Sequence, residues 1–206
     1  MVGDASSLMV PQVRARHMQG LIADLSRLPP EDRAAILSAI SPRTLEGIGA
    51  GTLFGWVPFS FDVECSRAVA RHLGPQRAHD FFRSQILGAV ETSLLAGFVQ
   101  GAMRLAGTEP RRHLPLLGRG YELLFRACGR LTARHEPPSS GVIELRGLPP
   151  EAMEDDYWIG SVASSFCGLS ELIGFDTRVV VSNLSARECA VTLVATWQAR
   201  GTTKPR

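Results

Sequence analysis

Apolar residues recur at intervals of three and four through the first two thirds of this chain, and at intervals of two in the last third. Between residues 10 and 28 one stripe contains Val13, His17, Leu21, Leu25 and Leu28, which predicts an amphipathic helix that the following Pro-Pro pair ends. The segment "PPEDRAAIL" places proline and two acidic residues in a first turn, and predicts a second helix to about residue 40.

Further helices are predicted in the middle of the chain. A Gly-rich loop, "GIGAGTLFGW", precedes a helix over residues 59–73 that Gly74 stops, and Pro75 opens the next helix. Residues 92–106 are apolar on nearly every side, which predicts a central and closely packed helix. Residues 114–128 have the clearest helical period, and Cys128 on their apolar stripe is a predicted core position.

Alternation with period two predicts four strands. "LTARHE" and "GVIELRG" read as a hairpin, a helix over residues 157–173 follows, and "DTRVVVSN" and "CAVTLVATW" complete the set. Helices followed by a β-β-α-β-β unit predict an α+β fold, with N-terminal helices packed on a four-stranded antiparallel sheet. We interpret residues 1–206 as one domain with a helical part (1–128), a sheet-containing part (129–198) and a frayed tail (199–206).

Composition limits the classes of function. The 206 residues are 45% apolar and 20% charged, and folding at this length removes roughly 70% of the extended chain's surface from water. Disulfides and structural metals are therefore not needed for stability. The 22 basic and 20 acidic residues form no basic stripe with interleaved aromatics, so nucleic acid is not an expected partner.

The N-terminus and the cysteines bear on location. The N-terminus has neither the basic region nor the apolar core of a signal peptide, and "SLLAGFVQGAM" is too short an apolar stretch to span a bilayer. The four scattered cysteines have no C-x-x-C spacing, which is typical of reduced thiols in the cytosol. We therefore expect a cytoplasmic protein without a membrane span.

Four segments carry a resemblance to known proteins: "LPPEDRAAI", "GPQRAHDFFRS", "RLTARHE" with "GVIELRGLP", and "GFDTRVVVSNLSARECAVTLVATW". In this order they cover most of the chain and resemble a family of uncharacterised proteins much expanded in myxobacteria. That family is similar to the 4-vinyl reductase ligand-binding domain. The resemblance implies a fold shared with haem nitric-oxide sensors and Golgi-tethering (TRAPP) subunits, in which helices and a four-stranded sheet enclose a hydrophobic cavity.

The metal and haem sites of these relatives are not matched in this sequence. Where 4-vinyl reductase domains have Gly-Asp-x-x-Cys, residues 185–189 read Ser-Ala-Arg-Glu-Cys, and the preceding strand offers no thiol, so zinc is not expected. Cys189 is instead predicted to begin the final strand as a packed residue. The haem-binding members require a ligating histidine and Tyr-x-Ser-x-Arg, which neither Tyr121 nor Tyr157 begins. We expect no cofactor.

Catalytic spacings are lacking, so we do not expect an enzyme. "SSFCGLSE" has neither a Gly-x-Ser-x-Gly elbow nor a Cys-His pattern. Cys65 is the one thiol in a partly polar segment, and is the candidate for acylation or oxidation. His72 and His79 are interpreted as surface histidines. An enzymatic interpretation would need two or more of Cys65, His72, His79 and Glu91 to meet in one cleft.

Aromatic residues supply the candidate ligand contacts, because their faces are expected to converge between helices and sheet: Phe82, Tyr121, Phe125, Trp158 and Phe166. Our first hypothesis is a non-enzymatic domain that binds a small apolar ligand there and passes occupancy to a protein partner. The alternative is a dimeric interaction scaffold, because the apolar helix faces exceed what one four-stranded sheet can cover. A homodimer is compatible with both hypotheses and is expected.

Overall fold

A computed structural model describes residues 9–92, 94–107 and 109–200; the side chains of residues 89–96, 105 and 106 are outside this description. Its helices are α1 (Ala15–Asp24), α2 (Pro30–Ala39), α3 (Pro42–Ala50), α4 (Phe59–Thr92), α5 (Leu94–Ala106), α6 (Pro110–His113), α7 (Leu117–Leu124) and α8 (Tyr157–Leu172). Its strands are β1 (Gln12–Arg14), β2 (Trp56–Pro58), β3 (Phe125–Arg126), β4 (Arg130–Glu136), β5 (Ser140–Arg146), β6 (Phe175–Ser185) and β7 (Ala190–Ala199). The predicted α+β class is confirmed. None of the described helices is long and apolar enough to cross a bilayer.

The main sheet has four antiparallel strands in the order β4-β5-β7-β6, as the β-β-α-β-β pattern predicts. Val191, Leu193 and Ala195 alternate along β7 and are at most 4% exposed, because they face α8 and the helices beyond it. Trp197 is half-buried on the same face. β7 runs through Ala199, one residue into the predicted tail, and residues 201–206 lie outside the described residues.

A second, smaller sheet in the order β2-β1-β3 was not predicted. Residues 12–14 and 125–126 belong to segments predicted as helix, and both predictions are wrong at these ends. Strands of two or three residues are too short to show an alternating pattern, so the helical period of their neighbours extends across them. Cys128 follows β3 rather than lying on a helix, but it is 1% exposed and thus in the core, as predicted.

The Gly-rich segment predicted as a loop is helical in its first part, where it forms α3. Ser41 caps this helix by accepting a hydrogen bond from the Thr44 backbone N–H (3.3 Å), and its own backbone N–H donates to Glu64 of α4 (2.6 Å). A Cβ on Gly47 would lie 2.5 Å from the Phe61 ring. This glycine therefore allows close helix packing, and the prediction of a loop is wrong for the part of the segment that lies in α3.

α4 is bent at Gly74, where the predicted helix stop and restart are confirmed. Gly74 has a φ of 75°, which is outside the helical region and favours glycine. Asp32 of α2 contacts both arms of the bend, since it binds His72 (2.8 Å) before the bend and Arg77 after it. The two arms of α4 are thereby held at a fixed angle over the rest of the fold.

The contact between α4 and α8 is the most extensive between two helices of the described chain. At Gly168 the helices approach so closely that an added Cβ would lie 2.4 Å from Ile86 Cγ2 and 2.5 Å from the Arg83 carbonyl oxygen. Near the other end of α8, the Trp158 indole donates a hydrogen bond to Asp62 of α4 (2.9 Å). These two contacts fix α8 between the α4 layer and the sheet.

The approach at Gly168 gives a testable prediction. Gly168→Ala should lower the free energy of unfolding by about 1–3 kcal/mol, because overpacking forces the helices apart. Gly160→Ala, on the same helix with no atom within 4 Å of the added Cβ, should be neutral or stabilise by up to about 1 kcal/mol. Urea denaturation of both variants measures the difference. Equal effects in the two variants would contradict the close crossing.

Candidate functional site

A cavity of about 100 Å³ lies between α1, α4, α5, α7 and α8. Its wall contains all five aromatic residues that the sequence singled out: Phe82, Tyr121, Phe125, Trp158 and Phe166. They come from α4, α7, β3 and α8, so the space closes only when the helical part and the sheet-containing part pack together. The structure brings these residues to one place. A role in ligand binding is a proposal taken up below.

The aromatic part of the wall is organised around Phe125. Its ring lies 4.7 Å from the Tyr121 ring and 5.9 Å from the Trp158 ring, centroid to centroid, and Phe59 packs behind it at 6.1 Å. Tyr121 is held in turn by a hydrogen bond from its hydroxyl to the Cys128 carbonyl oxygen (2.7 Å). Edge-to-face aromatic packing and a satisfied hydroxyl keep these rings in place, so this wall is pre-formed.

Two polar residues, the buried Asp62 and the half-buried His17, lie in the same wall. Asp62 is 3% exposed and accepts a hydrogen bond from the Trp158 indole. Burial raises the pKa of the Asp62 carboxyl and lowers the pKa of the His17 imidazole, while the attraction between their charges opposes both shifts. Desolvation is the larger effect at each residue. His17 is therefore a neutral imidazole beside the cavity.

Unpartnered polar atoms are concentrated at this site. Among the described residues, the buried side-chain N and O atoms without a hydrogen-bond partner are His17 Nδ1, Gln85 Nε2 and Thr177 Oγ1. The first two residues line the cavity, although neither was among the predicted contacts. Gln85 follows Phe81 and Phe82 by four and three positions on α4, and this helical spacing was the available signal that it shares their buried face.

A second cavity of about 90 Å³ adjoins the first and extends to the inner face of the sheet. Thr177 of β6 lines this second space. The residues that line both cavities are Phe98, Val99, Leu117, Phe166 and Leu169. The two spaces are therefore bounded in part by the same side chains, which include the aromatic ring of Phe166.

Of the residues named for an enzymatic interpretation, the three whose side chains are described do not meet in one cleft. Cys65 is 0% exposed in an apolar cluster, and burial raises its thiol pKa, so the prediction of a reactive thiol in a polar setting is wrong. The acidic residues next to Cys65 in the sequence accept hydrogen bonds from residues outside α4. His72 binds Asp32, and His79 lies 2.9 Å from the Ser164 hydroxyl in an outer groove. The Glu91 side chain is outside the described residues.

Cys189 does not begin the last strand as a packed residue, so that prediction is wrong. It occupies the turn before β7 with a φ of 48°, and its half-buried sulfur lies 3.6 Å from the Ala186 carbonyl oxygen. The tight turn from β6 to β7 requires this positive φ, which a sequence pattern does not show. Within the described ranges, no group of three or more His, Cys, Asp and Glu side chains could hold a metal ion.

Comparison with known proteins identifies the fold of this chain but does not assign the chain to a family. No protein-family model matches the chain. No curated protein matches it either. Among solved structures, it resembles the Fe(II) unliganded H-NOX protein from K. algicida, with a TM-score of 0.57 and 11% identity over 91% of this chain and 97% of that one.

Two further H-NOX structures give the same result. A point mutant of the H-NOX protein from T. tengcongensis has a TM-score of 0.57 and 10% identity, covering 91% of this chain and 99% of that one. An oxygen-binding H-NOX domain related to soluble guanylate cyclases has a TM-score of 0.53 and 10% identity, covering 91% and 96%. This chain therefore has the fold of these domains, as the resemblance found in the sequence implied.

Haem does not fit the residues of this cavity. A haem brings two propionate carboxylates, yet the described residues of the two cavity walls include no Arg or Lys, and Asp62 presents a carboxyl instead. A volume of about 100 Å³ is also below the roughly 300–1,000 Å³ of pockets that enclose drug-sized ligands. The chain shares its fold with these H-NOX domains, but the described cavity walls contain no Arg or Lys to bind a propionate.

The desolvated imidazole of His17 predicts a pH dependence of stability. With its pKa lowered on folding, His17 stabilises the folded state above its usual pKa of about 6.5, and this stability is lost as the pH falls below that value. The raised pKa of Asp62, which faces His17, acts in the opposite sense, because it favours the fold at lower pH. Replacing His17 also removes the attraction that lowers the Asp62 pKa, so both changes make stability fall less as the pH is lowered.

We expect His17→Phe to lose less stability than the native chain between pH 7.5 and 5.0, by up to about 1.4 kcal/mol per pH unit. Urea denaturation across this range measures it. Leu193→Ala removes buried packing from β7, outside both cavity walls, and removes no titrating group, so it serves as the control and should shift stability equally at every pH. A pH slope unchanged by His17→Phe would show that the imidazole titrates alike in the folded and unfolded states.

Proposed function

We propose that this chain is a non-enzymatic sensory domain that binds a small, mostly apolar molecule between its helices and its sheet. One observation carries the proposal: a cavity whose wall gathers aromatic residues from four separate elements. The proposed ligand contacts are Phe82, Tyr121, Phe125, Trp158 and Phe166. Protein interiors normally pack without voids larger than a water molecule, so retained space of this kind points to an occupant.

The size of the space limits the ligand. An apolar cavity of about 150 Å³ is enough to hold benzene or xenon. The first cavity, at about 100 Å³, suits a molecule of about that size after small movements of its wall. A longer ligand would extend into the second cavity by displacing the shared side chains such as Phe98 and Phe166.

Signalling to a protein partner is part of the proposal. The ligand would contact α5 and α7 on one side and α8 on the other, so occupancy would change how the helical part packs on the sheet-containing part. A ligand shifts such an equilibrium by its difference in affinity for the two arrangements. We place this sensor in the cytoplasm, where its unpaired cysteines would stay reduced, and we group it with the ligand-binding branch that 4-vinyl reductase domains represent.

The alternative function is a dimeric scaffold, and the edge strand β6 favours it. Of the described strands, only β7 pairs with β6, and Val180, Val181 and Leu184 on this edge are 40–45% exposed. Exposed apolar edge strands tend to pair with a second chain. A β6-to-β6 homodimer should give twice the chain mass by light scattering at micromolar concentration, and Val181→Lys should return it to a monomer. A native chain that is strictly monomeric would exclude this form.

Binding of a neutral apolar probe tests the sensory proposal. Toluene should bind the native protein with one-to-one stoichiometry and raise its melting temperature. Ser165→Leu places a larger apolar side chain in the wall of the first cavity, at the cost of one hydrogen bond within α8, and should abolish toluene binding. Calorimetric titration and thermal melts measure both effects.

Two controls accompany this test. Ser170→Leu alters the second cavity from the same helix and should leave toluene binding in place. Haemin, added in equimolar amount, should give no stoichiometric Soret shift, because the described walls offer no cation for its propionates. Failure of the native chain to bind any neutral aromatic probe of this size, or stoichiometric haemin binding, would refute the proposed function.

A further inference from the structure

The polar atoms left without partners describe the ligand more closely than the apolar wall does. Buried polar side-chain atoms are hydrogen-bonded in the large majority of cases, and each exception requires an explanation such as a bound molecule. Here His17 Nδ1 and Gln85 Nε2 are unpartnered and line the same cavity. They lie on different helices, α1 and α4, which converge on one space.

Gln85 is the stronger of the two observations. Its side chain is 2% exposed, on the buried face of α4 beside Phe82 and Ile86, where an apolar residue of similar length would fit without a polar penalty. A buried amide NH₂ without an acceptor destabilises the empty protein. An acceptor oxygen of a bound ligand that reaches Gln85 Nε2 would explain why a glutamine occupies this position.

The two atoms together define the group that satisfies them. Gln85 Nε2 donates, so it needs a ligand lone pair. A neutral His17 Nδ1 either donates or accepts according to its tautomer. A hydroxyl fits both tautomers of His17. Its oxygen accepts a hydrogen bond from Gln85 Nε2, and the hydroxyl group can either donate its hydrogen to His17 Nδ1 or accept a second hydrogen bond from it. A carbonyl oxygen can only accept hydrogen bonds, so it fits only the tautomer in which His17 Nδ1 donates.

The charge of the wall excludes anionic ligands. A carboxylate or phosphate would lie beside the carboxyl of Asp62, and no Arg or Lys is found among the described residues of the wall. The remaining wall is apolar and aromatic. A cationic ammonium group offers no lone pair to Gln85 Nε2, so the polar end of the ligand is neutral and the rest of the ligand is hydrocarbon.

We propose that the ligand of this cavity is a small neutral hydroxyl compound, an alcohol or a phenol, whose oxygen is bound by Gln85 and His17 while its hydrocarbon part packs against Phe125 and Trp158. This inference rests on the proposed function, since it specifies the ligand of the same cavity. It adds a polar recognition site that the aromatic residues alone do not provide.

Phenol and toluene form a matched pair of probes, because they are nearly equal in size and differ by a hydroxyl in place of a methyl group. Titration calorimetry gives the dissociation constant of each for the native protein and for Gln85→Met, which keeps the length of the side chain and removes its amide. We expect the affinity ratio of phenol to toluene to fall about tenfold in Gln85→Met, which corresponds to the loss of one hydrogen bond.

Gln76→Met is the matched control, since Gln76 lies on the same helix at the exposed surface and bonds to Asp80. It should leave the ratio unchanged. Gln85→Met should also melt at a higher temperature than the native chain without ligand, because an unpartnered buried amide is removed. This second readout shows that the variant is folded.

The results of these titrations distinguish the hydroxyl inference from the apolar-cavity proposal. If both probes bind and their ratio is the same in the native protein and in Gln85→Met, the hydroxyl inference is wrong and the apolar-cavity proposal stands. If neither probe binds the native protein, both are wrong. A tenfold fall confined to Gln85→Met supports both.

Discussion

The crossing of α4 and α8 at Gly168 is the contact on which the rest of the structure depends. At this point backbone and side-chain atoms of α4 lie 2.4–2.5 Å from the position that a Cβ would take, so α8 is held directly beneath α4 and above the sheet. The Asp62–Trp158 hydrogen bond fixes the opposite end of α8. With α8 held at both ends, the side chains of α5 and α7 close over it without filling all the space, and the cavity results.

Much of this architecture was predictable from the sequence. The long helices and the four strands of the main sheet follow from hydrophobic period, and the bend at Gly74 follows from a Gly-Pro step. The small sheet, α3 and the turn at Cys189 were not predictable. Their strands are too short for a period, their glycines serve packing instead of turns, and a positive φ at a cysteine has no sequence signature.

The candidate site likewise contains residues that the sequence identified and residues that it did not. The five aromatic residues were identified because helical spacing shows which faces turn inward. Gln85 and His17 were not identified as contacts, because a polar residue on a buried face is recognisable as unusual only once its missing partner is known. Cys65 was predicted to be the reactive thiol because its sequence segment is partly polar. That prediction failed because acidic neighbours in the sequence do not make a polar environment in space.

The comparison with H-NOX domains separates fold from chemistry. The chain shares the arrangement of helices over an antiparallel sheet with H-NOX proteins, among them an Fe(II) unliganded form and an oxygen complex, at 10–11% identity. Function is determined by the residues of a site and not by the fold that carries it. In this chain, the described wall offers a neutral imidazole, an amide and aromatic rings in place of cationic partners for a haem.

The most direct test of a retained, ligand-sized space is an experimental structure of the native chain purified without added ligand and then exposed to xenon under pressure. We expect the space enclosed by Phe82, Phe125 and Trp158 to persist, and xenon or a co-purified molecule to give density inside it. A core in which Phe98 and Phe166 rotate inward and leave no space for a guest atom would contradict the proposal.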